Sequence, residues 1–260
     1  MTIEFDADEA ALLRKHRLAV FRGCLIHDAQ PPITPAQVMD VETRIGTAIP
    51  PGLRALWDTA FGGRLGYNRI NVLSGTWDRL SLVQLFHPTS NDYHTLDGWI
   101  ELERELAEEA QGEDFDGVLD YLPFGGFEYL ERAYVVTRDT GKEPVGTILY
   151  YMSYVPEWAR ITEKEIFVLA PNIDALFDSF AFKANPFDQD VDDLSRDTEM
   201  LEALDALHAD GEAGADLHHK LSRLIGERCP DPEVEYSPHP DQIGFTPEPD
   251  PWWKRIFKRS

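Results

Sequence analysis

Cysteine is scarce in this chain. Cys24 and Cys229 are the only two in 260 residues, and neither belongs to a Cys-x-x-Cys pair. That excludes a disulfide-dense scaffold, leaves room for at most one long-range bridge, and suits a reducing compartment. Positive charge is also scarce: 24 Lys and Arg stand against 47 Asp and Glu, a formal net charge of −23. Such a field disfavours nucleic acid and anionic membranes as partners, since both are polyanions. It favours a basic protein, whose approach it would steer, although acidic surfaces also serve solubility. No apolar run approaches the roughly 18 residues of a spanning helix. The acidic stretch from Met1 to Ala10 has no apolar core of a secretory signal. The expectation is a cytoplasmic protein.

Catalytic signatures are missing as well. There is no Gly-x-Ser-x-Gly and no phosphate-binding Gly-x-x-x-x-Gly-Lys; Gly125-Gly126 reads as a sheet-edge turn. Cys24-x-x-His27 has ligand-like spacing but no second pair nearby, and His218-His219 point about 100° apart on a helix. His87 and His94 fall in a loop-rich region. Carboxylates are so numerous that spacing cannot single out an acid and a base. The residues predict no catalytic site, no metal site and no cofactor.

What is present is a run of helix and strand signals. Asp6 to Phe21 reads as a first helix with acids in its opening turn, followed by a connector to Pro32. Thr34-Pro35-Ala36-Gln37 is a capping-box start, and Val38, Val41 and Ile45 then repeat at helical spacing. Glu42 lies beside that stripe and, if buried, needs an arginine or backbone partner. Pro50-Pro51 redirects the chain, Leu53, Leu56, Trp57 and Ala60 form the face of a short helix, and Gly62-Gly63 serve its exit. Arg69 to Leu73 is a candidate strand, and Leu80 to Phe86 fits a strand or a helical turn. Asp97 to Ala110 predicts a helix with Trp99, Leu102 and Leu106 inward and Glu101, Glu105, Glu108 and Glu109 outward. Strands are expected at Leu119 to Phe124, Arg132 to Thr137, Val145 to Met152 and Glu165 to Leu169, with a hairpin loop near Asp139 to Pro144. Asn172 caps a helix carrying Ile173, Leu176, Phe177 and Phe180.

After Asn185-Pro186 the composition turns acidic and helical, with Leu194, Leu201, Leu204 and Leu207 on one stripe and Leu217, Leu221, Leu224 and Ile225 on another. Cys229 to Pro251 is rich in proline and acid and reads as extended or disordered. The terminal Trp252 to Arg259 is basic and aromatic, too short to anchor alone, and is read as docking on the chain's own acidic surface or as disordered rather than as a membrane contact.

The order of these pieces carries a resemblance. Glu42-Thr43-Arg44-Ile45-Gly46, then Ile49-Pro50-Pro51, Leu56-Trp57 and Phe61-Gly62-Gly63, resemble the signature of the SUKH superfamily, the Smi/Knr-like proteins. Phe61 stands where a polar residue is common. Leu122-Pro123-Phe124-Gly125, Ala133-Tyr134-Val135-Val136, Ile148-Leu149-Tyr150-Tyr151 and Leu169-Ala170 through Phe180 follow in the family's order, so the likeness runs from about Pro32 to Phe182. It implies a bacterial immunity protein that binds and neutralises the toxin domain of a secreted effector, often a basic nuclease. Eukaryotic relatives act as regulatory scaffolds.

The expected fold is α+β: a mostly antiparallel sheet of about five to six strands flanked by helices, with an acidic helical C-terminal extension. Residues 1–183 are read as the SUKH-like domain and 184–260 as the extension with its proline-rich segment and basic aromatic tail. The expected function is immunity in bacterial competition: a non-enzymatic protein whose partner is a cognate toxin that it blocks at its active site. The alternatives are a non-catalytic regulatory scaffold and a hydrolase with an unrecognised carboxylate site. Pro50, Leu56, Trp57, Gly62 and Gly63 are expected to set the fold. Partner binding is expected at exposed acids and aromatics: Asp92, Tyr93, Asp114, Asp116, Glu128, Tyr129, Glu131 and Trp158.

Overall fold

The computed structural model describes residues 4–71, 76–78, 84–90, 95–127, 131–139, 141–153, 164–182, 187 and 198–229. Helix α1 (Ala7–Lys15) begins on a capping box in which the Asp6 carboxylate accepts the Glu9 N–H and Glu9 returns the bond to the Asp6 N–H. It is shorter than the sequence suggests. The chain leaves the helix at His16, Arg17 takes a left-handed φ of 53°, and Ala19–Phe21 is strand β1, paired antiparallel with β2 (Cys24–Ile26). The two residues between them, Arg22 and Gly23, both have positive φ, the backbone of the tight hairpin turn that matches strand twist. The expected connector is therefore a fully buried strand.

Helix α2 (Pro35–Ile45) starts on the Thr34–Gln37 capping box and stops at Gly46, which is left-handed. Helix α3 (Pro51–Thr59) follows at once and buries Leu53, Leu56 and Trp57 completely. Next come β3 (Gly63–Arg64), β4 (Asn68–Asn71), β5 (Thr76–Asp78) and β6 (Gln84–Leu85). The rest of the Leu80 to Phe86 stretch up to residue 83 lies outside the described residues. Helix α4 (Leu96–Gln111) is capped by the Thr95 hydroxyl and runs into a 3-10 turn at Gly112–Asp114. It buries Leu96, Trp99 and Ile100, whereas Leu106, expected inward, is 38% exposed. The buried face turns off after the first two turns, so the last apolar position of the stripe meets solvent.

Strands β7 (Tyr121–Phe127), β8 (Glu131–Val136), β9 (Ile148–Ser153) and β10 (Lys164–Ala170) form the expected meander. Among the described residues they join β6 and β3 in a six-stranded antiparallel sheet of order β10-β9-β8-β7-β6-β3. Pro123 sits at the register shift of β7, where a missing N–H does least harm to a ladder. A bridge between His27 and Arg64 links the β1–β2 hairpin to the β3 edge. Helix α5 (Ile173–Asp178) is capped by Asn172, and Phe180 belongs not to it but to β11 (Phe180–Ala181), which pairs with β4 in a small second sheet.

The period-2 alternation of β8 divides the molecule. Ala133 and Val135 point into the main core, which also takes α2, α3 and α5. Tyr134 and Val136 point to the opposite face, where they meet Leu149, Tyr151 and Tyr121 in a smaller apolar cluster. Helices α6 (Thr198–His208) and α7 (Gly211–Gly226) form a hairpin whose Leu204, Leu207, Leu217, Leu221, Leu224 and Ile225 join the main core. Leu194, expected on the same stripe, lies outside the described residues. Arg228, just past α7, donates to the carbonyls of Phe177 at 2.9 Å, Phe180 at 3.0 Å and Arg22, so one guanidinium ties α7, α5 and the first hairpin together. Lys220 reaches the Glu9 carboxylate at 2.7 Å, and Lys15 reaches Asp210 at 2.5 Å. Among the described residues no helix is long and apolar enough to cross a membrane.

Candidate functional site

The motif residues of the segment from Thr34 to Arg64 are used up by the fold. The Glu42 carboxylate accepts the Ile49 N–H at 3.1 Å, so it stitches the middle of α2 to the turn that launches α3. The partner it required is thus a backbone group. Gly62 lies against His87: a Cβ there would sit 2.6 Å from the His87 Cβ and Cδ2. A Cβ on Gly63 would sit 2.6 Å from the Ile26 methyl. Both glycines also have positive φ, 111° and 143°. Backbone bonds close the rest: Ile33 N–H donates to the Trp57 carbonyl, Phe61 N–H to Pro31, and Gln30 N–H to Gly62. Little of this segment is left to receive a ligand.

The candidate nucleophile and ligands have the same fate. The Cys24 thiol is fully buried, donates weakly to the Phe177 carbonyl, and is pushed up to about 12, chiefly by burial. A thiol held that far from ionisation is not a nucleophile. His27, its Cys-x-x-His partner in sequence, is buried too. Cys24 and Cys229 are both free thiols. Among the described residues no group of three His, Cys, Asp or Glu is placed to hold a metal ion. His94 lies outside the described residues. His218 packs against His208, ring centroids 5.0 Å apart, and burial depresses its basicity.

A different chemistry gathers on α4 and the outer face of the sheet. Glu101, Glu105, Glu108 and Glu109 are exposed along α4, and Glu113 and Asp114 extend the row through the 3-10 turn. The inward side of α4 meets the sheet through Glu103, whose carboxylate accepts the Tyr134 hydroxyl at 2.8 Å. Burial raises the Glu103 pKa, while Arg132 and the Tyr134 bond pull it down. Burial likewise pushes Tyr134 well above the ordinary tyrosine value. Arg132, on the same face of β8, stacks on the Trp99 ring at 4.4 Å and on the Tyr151 ring at 4.6 Å.

Of the eight residues expected at the interface, Asp92, Tyr93, Glu128, Tyr129 and Trp158 lie outside the described residues. Asp114 is exposed at the end of the acidic row. Asp116 is exposed but engaged: it accepts the Val118 N–H at 3.0 Å and pairs with Arg138 at 2.5 Å, and these contacts hold its carboxyl below the usual value. Arg138 also reaches Asp120 at 2.6 Å, so this cluster staples the approach to β7 onto the end of β8. Glu131 is half-buried and accepts the Tyr150 hydroxyl at 2.7 Å. Asp114, Asp116 and Glu131 are therefore distributed around α4 and β8 rather than gathered at one point. A selection restricted to acids and aromatics passed over Arg132, which directly follows Glu131.

A family model described as the SMI1 / KNR4 family (SUKH-1) matches residues 32–179, more than half of the chain. The chain belongs to the SMI1/KNR4 (SUKH-1) family. Neither a search of curated proteins nor a search of solved structures found a match. The matched span starts just before the Thr34 cap and ends inside the turn after α5, so it covers the motif segment, α4 and the whole meander. The SUKH family is a family of immunity and regulatory proteins that bind other proteins, and this chain is of that general kind.

Proposed function

We propose that this SUKH protein is an immunity protein that binds a cognate, basic toxin domain and blocks its active site. The observation that carries the reading is the row of exposed carboxylates on α4 and its 3-10 turn, standing beside a sheet face lined by tyrosines, in a chain of this family with a net charge of −23. A basic surface approaching this row would be accelerated by its field and held in register by it. The expected interface includes Asp114, Asp116 and Glu131, together with Asp92, Tyr93, Glu128, Tyr129 and Trp158. The experiment is co-expression with the toxin encoded beside its gene, scored by survival, and pull-down of the pair. Rescue and a stoichiometric complex are expected; undiminished killing with no complex would sink the reading for that pair.

A regulatory scaffold is the second reading, and one observation favours it. Helices α6 and α7 lie beyond residue 179, where the family match ends, and their exposed Glu199, Glu202, Asp205, Glu212 and Asp216 add a second acidic surface. A partner captured through this helix pair, with α4 dispensable, would shift the assignment to that reading.

A further inference from the structure

We infer that the basic aromatic segment Trp252–Arg259 docks on the outward face of α4 in the free protein and yields that face to the toxin; the identity of the competitor rests on the immunity reading, the docking does not. On α4, Leu102, Glu105, Leu106 and Glu109 follow one another at spacings of three and four and so share one side of the helix. Leu106 is 38% exposed, an apolar foothold set between carboxylates. Glu101 extends the acids toward one end of the helix, and Glu113 and Asp114 toward the other, all exposed. Among the described residues Glu101, Glu105 and Glu109 make no ion pair. Arg104, the one base of α4, is turned to the Arg44 and Gly117 carbonyls and to Glu108. The face therefore asks for cations from outside the helix, together with an apolar side chain for Leu106.

The chain carries that chemistry itself. Lys254, Arg255, Lys258 and Arg259 are interleaved with Trp252, Trp253, Ile256 and Phe257, with no acid among them, whereas residues 230–251 hold no lysine or arginine. Long basic stems lie along apolar surface while their heads reach neighbouring carboxylates, so such a segment matches acids set around a leucine. Residues 230–260 lie outside the described residues, and Cys229, just past α7, is the last described one. From Cys229 to Trp252 the backbone can span up to about 70 Å, against about 45 Å across a compact body of this size, so α4 is within reach. Tethering supplies the segment at an effective concentration of order millimolar, so a weak contact suffices to fill the face. Other faces match less well. The exposed apolar positions of the α6–α7 pair are alanines, and beside the exposed Met39 of α2 the Asp40 carboxylate already pairs with Arg44 at 3.7 Å. A basic toxin would meet the same acids, and would displace a segment that imitates it.

The test uses the full chain in two variant forms. One carries Lys254→Glu, Arg255→Glu, Lys258→Glu and Arg259→Glu, which reverse the charges; the other carries Trp252→Ser, Trp253→Ser, Ile256→Ser and Phe257→Ser, which keep them. Backbone amide resonances of residues 101–114 are compared with the parent at low salt and at about 1 M salt. Both variants are expected to move the α4 amides, and high salt to carry the parent toward the charge-reversed form. Unchanged α4 resonances overturn the proposal, and so do changes that fall on α6 and α7 instead. A difference that grows with protein concentration gives the face to a second copy's segment and overturns docking within one chain. In a second arm, a synthetic peptide of residues 252–260 is added to the charge-reversed chain. It should bind at α4, and Glu105→Lys with Glu109→Lys should weaken it about tenfold or more; an affinity that ignores those substitutions overturns the site. Toxin association supplies the third arm. The serine variant, whose charge equals the parent's, should associate about twofold or more faster, since an occupied face offers a partner only its free fraction; equal rates overturn the competition. If the parent does not bind the toxin at all, the immunity reading falls, and the α4 resonances and the peptide alone decide the docking.

Discussion

The segment from Thr34 to Arg64 and the face built by α4 and β8 treat their polar groups in opposite ways. In the first, each motif residue is consumed internally: Glu42 by the Ile49 N–H, Gly62 by the His87 ring, Gly63 by Ile26. In the second, six carboxylates stand in solvent, while Arg132 rests on the Trp99 and Tyr151 rings beside the inward Glu103. Saturated polar groups rigidify and specify a fold, whereas unsatisfied ones near the surface are open to a partner. The residues that identify the family are thus the least available for binding. The proposed function places specific recognition on residues that carry no motif.

Substitutions in the first region are expected to act on stability, and the largest effect belongs to Gly62→Ala. The added methyl collides with His87 and must also adopt a φ of 111°, so a loss of about 3 kcal/mol in urea unfolding is expected. A loss below about 1 kcal/mol would show that the segment yields more easily than its packing indicates. Glu42→Ala comes next: it leaves the Ile49 N–H without its acceptor, for about 1–2 kcal/mol, and Glu42→Gln, which keeps an acceptor oxygen, should recover most of it.

The third prediction concerns pH. Burial holds His87 below its ordinary value of 6.5, with Arg17 adding to the depression and Asp28 opposing it. The unfolded chain therefore takes up this proton first. The contribution of neutral His87 is complete above about pH 6.5 and is lost as pH falls through its lower folded-state pKa. The urea midpoint should drop over that window, and His87→Gln should flatten the drop. An unchanged slope in the variant would place the sensitivity elsewhere, His218 being the next group to substitute since burial depresses it in the same direction.

The smallest stability effect is expected on the other side of the comparison. The triple variant Glu101→Lys, Glu105→Lys, Glu109→Lys reverses one exposed line of α4 and should change stability by no more than about 0.5 kcal/mol per site. Association with the toxin should slow by about tenfold or more at low salt, and the gap should close as salt screens the field. Equal association rates at low salt would remove α4 from the interface.

Local chemistry made much of the fold legible. The Thr34–Gln37 box and the Asn172 cap are written in adjacent residues, and α2 and α5 begin where those residues stand. The alternation of apolar and aromatic residues marked β7 to β10 in order. The failures came where two periods overlapped. Leu12, Leu13 and Val20 sustain a helical pattern through the true end of α1, because the break at Arg17 carries no glycine or proline to announce it. Phe180 continues the stripe of α5 although the chain has already become β11. Leu106 keeps the spacing of α4 where the core no longer encloses it. The candidate surface was legible only as a sign of charge: acids could be counted, but not which of them the fold would engage, as it engages Asp116 with Arg138.

By itself the sequence determined the family, the caps, the strand order of the meander and the sign of the field, all of which depend on residues near one another in the chain. Only the tertiary structure decided that Glu42 serves Ile49, that Gly62 must admit His87, that Arg228 ties α7 to α5, and that Arg132 lies on Trp99 and Tyr151. Those are long-range facts, and no local pattern encodes them. They arise because burying the apolar faces forces particular polar groups together and leaves others apart.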